Sequence, residues 1–146
     1  MRGRRVPALA ARLARRARRL LALLRRRDAE LSLVLVSDAV MRQLNRDWRG
    51  VDRPTDVLAF AQAEGPDGAP PGLLGDVVIS IDTARRQAAG SAAPLGAELD
   101  RLLVHGVLHL LGYDHERSPA EAQRMRRRER LLARRLAECD GGATDG

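Results

Sequence analysis

The chain is expected to fold as α+β, with a small mixed β-sheet of three to four strands packed with about five helices. Apolar residues form short, nearly continuous runs of strand length at 31–37 and 75–81. At 9–24 and 95–109 they instead recur every three to four residues, as on one face of a helix. Length supports the same picture: 146 residues, 45% hydrophobic but only 2% aromatic, suffice for one domain whose core is built from Leu, Val, Ile and Ala.

The elements follow in order. Leu9, Leu13, Ala17, Leu20 and Leu24 trace one stripe, which predicts a docked helix from Pro7 to about Arg27 with arginines on its outer face. Arg25, Arg26 and Arg27 would then face its negative dipole end. Residues 1–27 are thus read as an Arg-rich N-terminal helix. The same acid-free start also has the composition of an organellar transit peptide, against which the apolar stripe favours the docked helix. Leu31 to Ser37 reads as a buried strand. Ser37 or Asp38 can cap a helix running through about Asp47, with Val40, Met41 and Leu44 inward. The segment from Asp56 to Ala61 leads out of a loop into a second strand, and Glu64 to Gly72 is a Gly- and Pro-rich surface loop. Gly75 to Ile81 is the third strand, and Asp82 or Thr83 opens a short helix ending near Gly90. Pro94 suits the first turn of a long helix carrying Leu95, Leu99, Leu102 and Leu103. Ser118-Pro-Ala-Glu121 is a capping box opening a last helix over about 119–138, and residues 140–146 are expected to be a disordered tail. No internal repeat and no second domain is visible, so 1–146 is read as a single domain.

The net charge of +7 is unevenly spread. Residues 1–27 carry eleven arginines and no acid, residues 28–116 seven arginines against fourteen acids, and residues 117–146 eight against five. Basic flanks around an acidic middle suit a polyanion gripped at the ends and presented to the centre. Every basic residue is Arg, however, and a compositional bias would raise the arginine count on any surface. With only three aromatic residues, stacked-base readout of RNA by an aromatic platform is not expected. The apolar run Leu20 to Leu24 is far short of the roughly 20 residues of a membrane span, which also argues against a secretory signal. A single cysteine, Cys139, allows no intramolecular disulfide. The expectation is a cytoplasmic protein without a membrane partner.

All three histidines fall within eleven residues, His105-Gly-Val-Leu-His109-Leu-Leu-Gly112-Tyr-Asp-His115. Residues four apart share a helix face, so His105 and His109 can point at one centre while Gly112 ends the helix and swings His115 back. Three imidazoles hold one Zn²⁺ and leave a fourth tetrahedral position for water, the catalytic arrangement. The spacing equals that of the long zinc-peptidase motif H-E-x-x-H-x-x-G-x-x-H, a zincin-like metal helix and turn, except that Gly106 replaces the glutamate that acts there as base. The competing reading has histidines hydrogen-bonded in a core.

A second constellation runs Asn45-Arg-Asp-Trp48-Arg49-Gly50-Val-Asp52-Arg53-Pro54-Thr55-Asp56-Val57-Leu58-Ala59-Phe60. Together with Gly75-Asp76-Val-Val-Ile-Ser80 and the histidine segment, it resembles the YbeY family of bacterial rRNA maturation endoribonucleases over roughly 31–138. The resemblance implies a zinc-dependent, single-strand-specific endoribonuclease acting in small-subunit rRNA maturation and ribosome quality control. The rRNA and the small subunit would be its partners, His105, His109 and His115 its metal ligands, and Arg49 a functional arginine near the metal. Three features depart from the family: Trp48 stands where Tyr is usual and Ala59 where Ser is usual, and only Met1 to Val6 precede Pro7 where a first strand is expected.

With Gly106 unable to take a proton, the base is metal-activated water, the RNA 2′-hydroxyl helped by another base, or a carboxylate. Asp114, beside His115, is the nearest carboxylate; its other reading is to orient a histidine N–H or close a turn. Arg49 offers a planar fork for phosphate, or else an ordinary salt bridge to Asp47 or Asp52. Thr55, Asp56 and Asp76 read as structural. Two further function classes stay open: a non-catalytic zinc-containing ribosome assembly factor and a zinc peptidase-like hydrolase.

Overall fold

The computed structural model describes residues 2–61 and 72–142, with side chains described for 7–61 and 72–138. The order is α1 (Arg2–Leu23), β1 (Glu30–Val36), α2 (Asp38–Arg49), β2 (Val57–Ala61), β3 (Leu73–Ser80), α3 (Ile81–Ser91), α4 (Leu95–Leu110) and α5 (Pro119–Gly142). Five helices and a three-stranded mixed sheet give the expected α+β fold. The strand order is β1-β3-β2, with β1 parallel and β2 antiparallel to β3. No strand precedes α1 among the described residues.

β3 is central because its sequence is apolar on both faces. Val77 and Ile79, both 0% exposed, join the main core with Leu31, Leu33 and Leu35 of β1 and Val57 of β2. Val78 points the other way, where it meets Met41 of α2 and Leu58 of β2. The main core is closed by α4, whose Leu99, Leu102, Leu103, Val104, Val107 and Leu108 are fully buried, with α1 and α5 packed alongside. Each such Leu contributes about 1.5–3 kcal/mol by leaving water.

Several boundaries and caps differ from expectation. α1 begins ahead of Pro7 and ends at Leu23; Arg25 takes φ 60°, so Arg25, Arg26 and Arg27 lie in the following turn, not at the helix end. Its arginines are not all outward. Arg16 is buried, donating to Asp100 Oδ2 (2.9 Å) and to the Leu136 carbonyl (3.0 Å), while Arg12 reaches Asp100 Oδ1 (3.1 Å). One carboxylate thus ties α1 to α4, and one arginine ties both to α5. The cap of α3 is Ser80, whose Oγ accepts from the Thr83 N–H (3.3 Å); Asp82 instead accepts from the Asp38 N–H (2.9 Å). Pro94 is the N-cap of α4, one place ahead of its first turn. Ser118 Oγ does cap α5 through the Glu121 N–H (3.1 Å). That helix runs to Gly142, so 140–142 are helical, not a frayed tail; residues 143–146, the expected loop from 64 to 71, and the Cys139 side chain lie outside what is described.

Asp38 knits the ends of α2, β3 and α3 together. Its carboxylate accepts from Ser80 Oγ and Thr83 Oγ1, each at 2.6 Å, and lies 2.7 Å from Arg86 Nη1. Burial raises its pKa, but these hydrogen bonds and the Arg86 charge outweigh burial and hold it at about 2, down from 3.8. A depressed carboxylate stabilises the fold above its ordinary pKa, and the contribution disappears as pH falls through the folded value. Wild type and Asp38→Asn should therefore differ in urea midpoint at pH 6 and converge as pH is lowered from about 4 towards 2; a constant gap across that range would contradict the assignment. Asp100→Ala strands the buried Arg16 charge and should cost about 3–5 kcal/mol in denaturant unfolding.

Candidate metal centre and its cleft

α4 is buried on most of its circumference, with Arg101, His105 and His109 along its more open edge. His105 and His109 lie one turn apart, with ring centroids at 4.7 Å and Nε2 atoms 3.2 Å from each other. After Leu110 the helix closes on itself through the Leu111 and Gly112 N–H groups. Gly112 adopts φ +101°, a conformation glycine takes without strain. The chain then reverses, the Tyr113 N–H bonds the Leu108 carbonyl (3.0 Å), and the His115 ring arrives 5.5 and 5.2 Å from the other two. One nitrogen from each ring lies within 4.8 Å of the others, so the three can hold a metal ion; the cluster comprises only these three among the described residues.

The donor set fits. Two imidazole nitrogens bound tetrahedrally at about 2.0–2.1 Å stand roughly 3.3 Å apart, close to the 3.2 Å between His105 and His109. Ligand histidines must be neutral. Burial, followed by the neighbouring His105 and His115, lowers the pKa of His109 and favours its neutral form. His105 is oriented as a ligand should be, because its Nδ1 bonds the Glu129 carboxylate on α5 and its Nε2 is turned to the shared centre.

Glu129 went unpredicted because it is 24 residues away on another helix. Its only trace in the sequence is that it is the single acid among seven arginines from Arg124 to Arg135, and it lies in phase with the buried Met125, Leu132 and Leu136. Gly106 has a packing reason. A Cβ there would meet Val77 Cγ1 at 2.8 Å, and Val77 is fully buried on the central strand. A glutamate at this position has no room unless the buried Val77 side chain shifts.

The histidines open into a cleft of about 560 Å³ that Arg49, Thr55, Asp56, Tyr113, Asp114 and Arg117 also line. Arg49 does not pair with Asp47 or Asp52, which lie beside Arg46 (3.8 Å) and Arg42 (2.8 Å); it reaches Glu116 across the cleft at 3.6 Å, with both side chains more than half exposed. Asp114 accepts the Glu116 N–H at Oδ1 (2.9 Å), while its Oδ2 has Arg117 at 3.9 Å. Asp56 fixes its loop: its carbonyl accepts the Ser80 N–H (2.9 Å) and its Oδ2 accepts from Gln87 (3.3 Å). Asp76 sits in β3 opposite Phe60, apart from the cleft lining.

A family model described as Endoribonuclease YbeY matches residues 5–137. Among curated relatives of that name, the Anaeromyxobacter sp. (strain Fw109-5) protein is 59% identical over 125 residues, covering 86% of this chain and 64% of the relative. The Anaeromyxobacter dehalogenans protein is 57% identical over 125 residues, covering 86% and 63%. The Geobacter metallireducens protein is 49% identical over 133 residues, covering 90% and 89%. The chain spans a little under two thirds of the length of the first two. The solution structure of TM1509 from Thermotoga maritima shares the fold, with TM-score 0.63 and 23% identity over 96% of this chain and 92% of that one.

If Glu129 aligns His105 for a metal, Glu129→Ala should weaken metal affinity about 10–100-fold in competition with a chromogenic chelator, with the circular dichroism of the metal-free protein unchanged. Affinity equal to wild type would remove Glu129 from the centre.

Proposed function

This chain belongs to the Endoribonuclease YbeY family, and on that premise we propose that it is a zinc-dependent endoribonuclease cleaving single-stranded RNA in small-subunit rRNA maturation and ribosome quality control. The observation that carries the reading is the convergence of three imidazoles on the wall of a cleft with an arginine reaching in from the other side. His105, His109 and His115 would hold the zinc, for which imidazole ligands and availability argue together. The ion supplies Lewis acidity, which lowers the pKa of water and polarises a phosphoryl oxygen.

The remaining steps belong to the chain's own side chains. Among the described residues Arg49 is held by an exposed pair with Glu116, and such pairs contribute about 0–1 kcal/mol. A phosphate entering the cleft readily displaces Glu116 and takes both donors of the guanidinium fork. There Arg49 neutralises the charge that grows on the equatorial oxygens. Asp114 keeps Oδ2 for a proton from the attacking hydroxyl or water, since the turn occupies only Oδ1. Glu129 holds the His105 ring in one tautomer throughout.

The peptidase alternative loses support because the packing of Gly106 against Val77 leaves no space for the glutamate that chemistry requires. No helix among the described residues is long and apolar enough to cross a membrane, and action on rRNA beside the small ribosomal subunit would place the protein in the cytoplasm.

Two variants separate the roles. His109→Ala should lose bound metal and RNA cleavage together. Arg49→Glu should keep its metal, by elemental analysis, while cleavage falls about 100-fold or more. Undiminished cleavage by a metal-free variant lacking all three histidines would refute the metal-dependent mechanism, and full metal retention with no cleavage by wild type on any single-stranded RNA would favour an assembly factor.

A further inference from the structure

We propose that Trp48 is a stacking platform for one nucleobase of the single-stranded RNA, next to the nucleotide held in the cleft; this rests on the endoribonuclease reading above. Trp48 is 70% exposed, against 44% and 47% for the other exposed large hydrophobic residues, Val34 and Val40. Large aromatic rings are normally among the more buried side chains, so one left this open is informative. Its position is equally particular. It is the penultimate residue of α2, beside Arg49, whose side chain lines the cleft. Its ring packs on Phe60, with centroids 5.8 Å apart and planes at 60°, and Phe60 follows Ala59, another cleft residue, along β2. Trp48 itself lies beside the lining, not within it, within reach of a neighbouring nucleotide.

The chemistry follows from the ring. Every base has a π-face, so one indole can stack any of them and prefers a strand whose bases are already unpaired. Phe60 restrains the ring before RNA arrives, which reduces the ordering cost. Phe60 and Tyr113 are themselves half-buried, so the subsite takes one base. Arg46, Asp47 and Arg49, next to Trp48 in the chain, are exposed and charged, a setting that suits a nucleotide better than an apolar protein surface.

Trp48 is the only tryptophan in the chain, which makes its emission a direct readout. A 2′-O-methyl single-stranded oligonucleotide, uncleavable through its 2′ position and carrying a 5′ label, is titrated while anisotropy reports binding and tryptophan emission reports the ring. The expected result is quenching that saturates with the anisotropy change and is much weaker with the matching duplex. Trp48→Ala should weaken binding about tenfold with metal content unchanged, and Trp48→Phe should restore most of the affinity. Oligonucleotide binding with unaltered emission, or wild-type affinity in Trp48→Ala, overturns the stacking site while the nuclease reading stands. A blue shift that grows with protein concentration without RNA assigns the ring to self-association and also overturns it. Failure of wild type both to bind the oligonucleotide and to cleave unmodified RNA would bring down both.

Discussion

The close seating of α4 on the central strand is the contact on which everything else is built. Gly106 faces Val77 without a side chain between them, and the leucines and valines on either side of it are fully buried. Interiors packed to crystal-like density transmit such a contact rigidly. His105 and His109 therefore hold their positions because the opposite face of their own helix cannot move. The same glycine explains why peptidase spacing appears here without the peptidase glutamate: packing uses the place that catalysis would need.

Charge is organised in two layers. Some arginines of the basic flanks are internal struts, as where Arg12 and Arg16 converge on Asp100 beneath α1. Such buried pairs gain little over apolar substitutes but are costly to break, so they hold three helices in one arrangement. Others remain on the surface, where the positive field can act on a polyanion. Glu129 belongs to neither layer. It is an acid within an arginine run that points inward to a histidine, and that local exception ties α5 to the chemistry of α4.

Within the cleft, what is rigid and what is loose divide according to role. The imidazoles on α4 and the Asp56 loop are anchored by buried neighbours and backbone hydrogen bonds. Arg49 and Glu116 are exposed and joined only at 3.6 Å. For the RNA substrate proposed above, fixed ligands would preserve geometry and an exchangeable counter-ion would limit the cost of desolvating a phosphate.

Local sequence carried much of this. Helical periodicity, apolar runs of strand length and capping signals located the helices and strands among the described residues to within about five positions, because burial leaves a local pattern that can be read directly. The three-histidine spacing and Gly112 together implied one centre, since helix geometry aligns the first two and the glycine turn returns the third. Other features depended on partners: Arg12 and Arg16 turn inward to Asp100 of α4, and Asp82 accepts from the Asp38 N–H at the start of α2. Glu129 on His105, Glu116 on Arg49 and the exposed ring of Trp48 over Phe60 likewise arise only when separate helices and strands are brought side by side. A chain's own repeat records which face is buried, but not which distant residue it is buried against, and that pairing is set by packing in three dimensions.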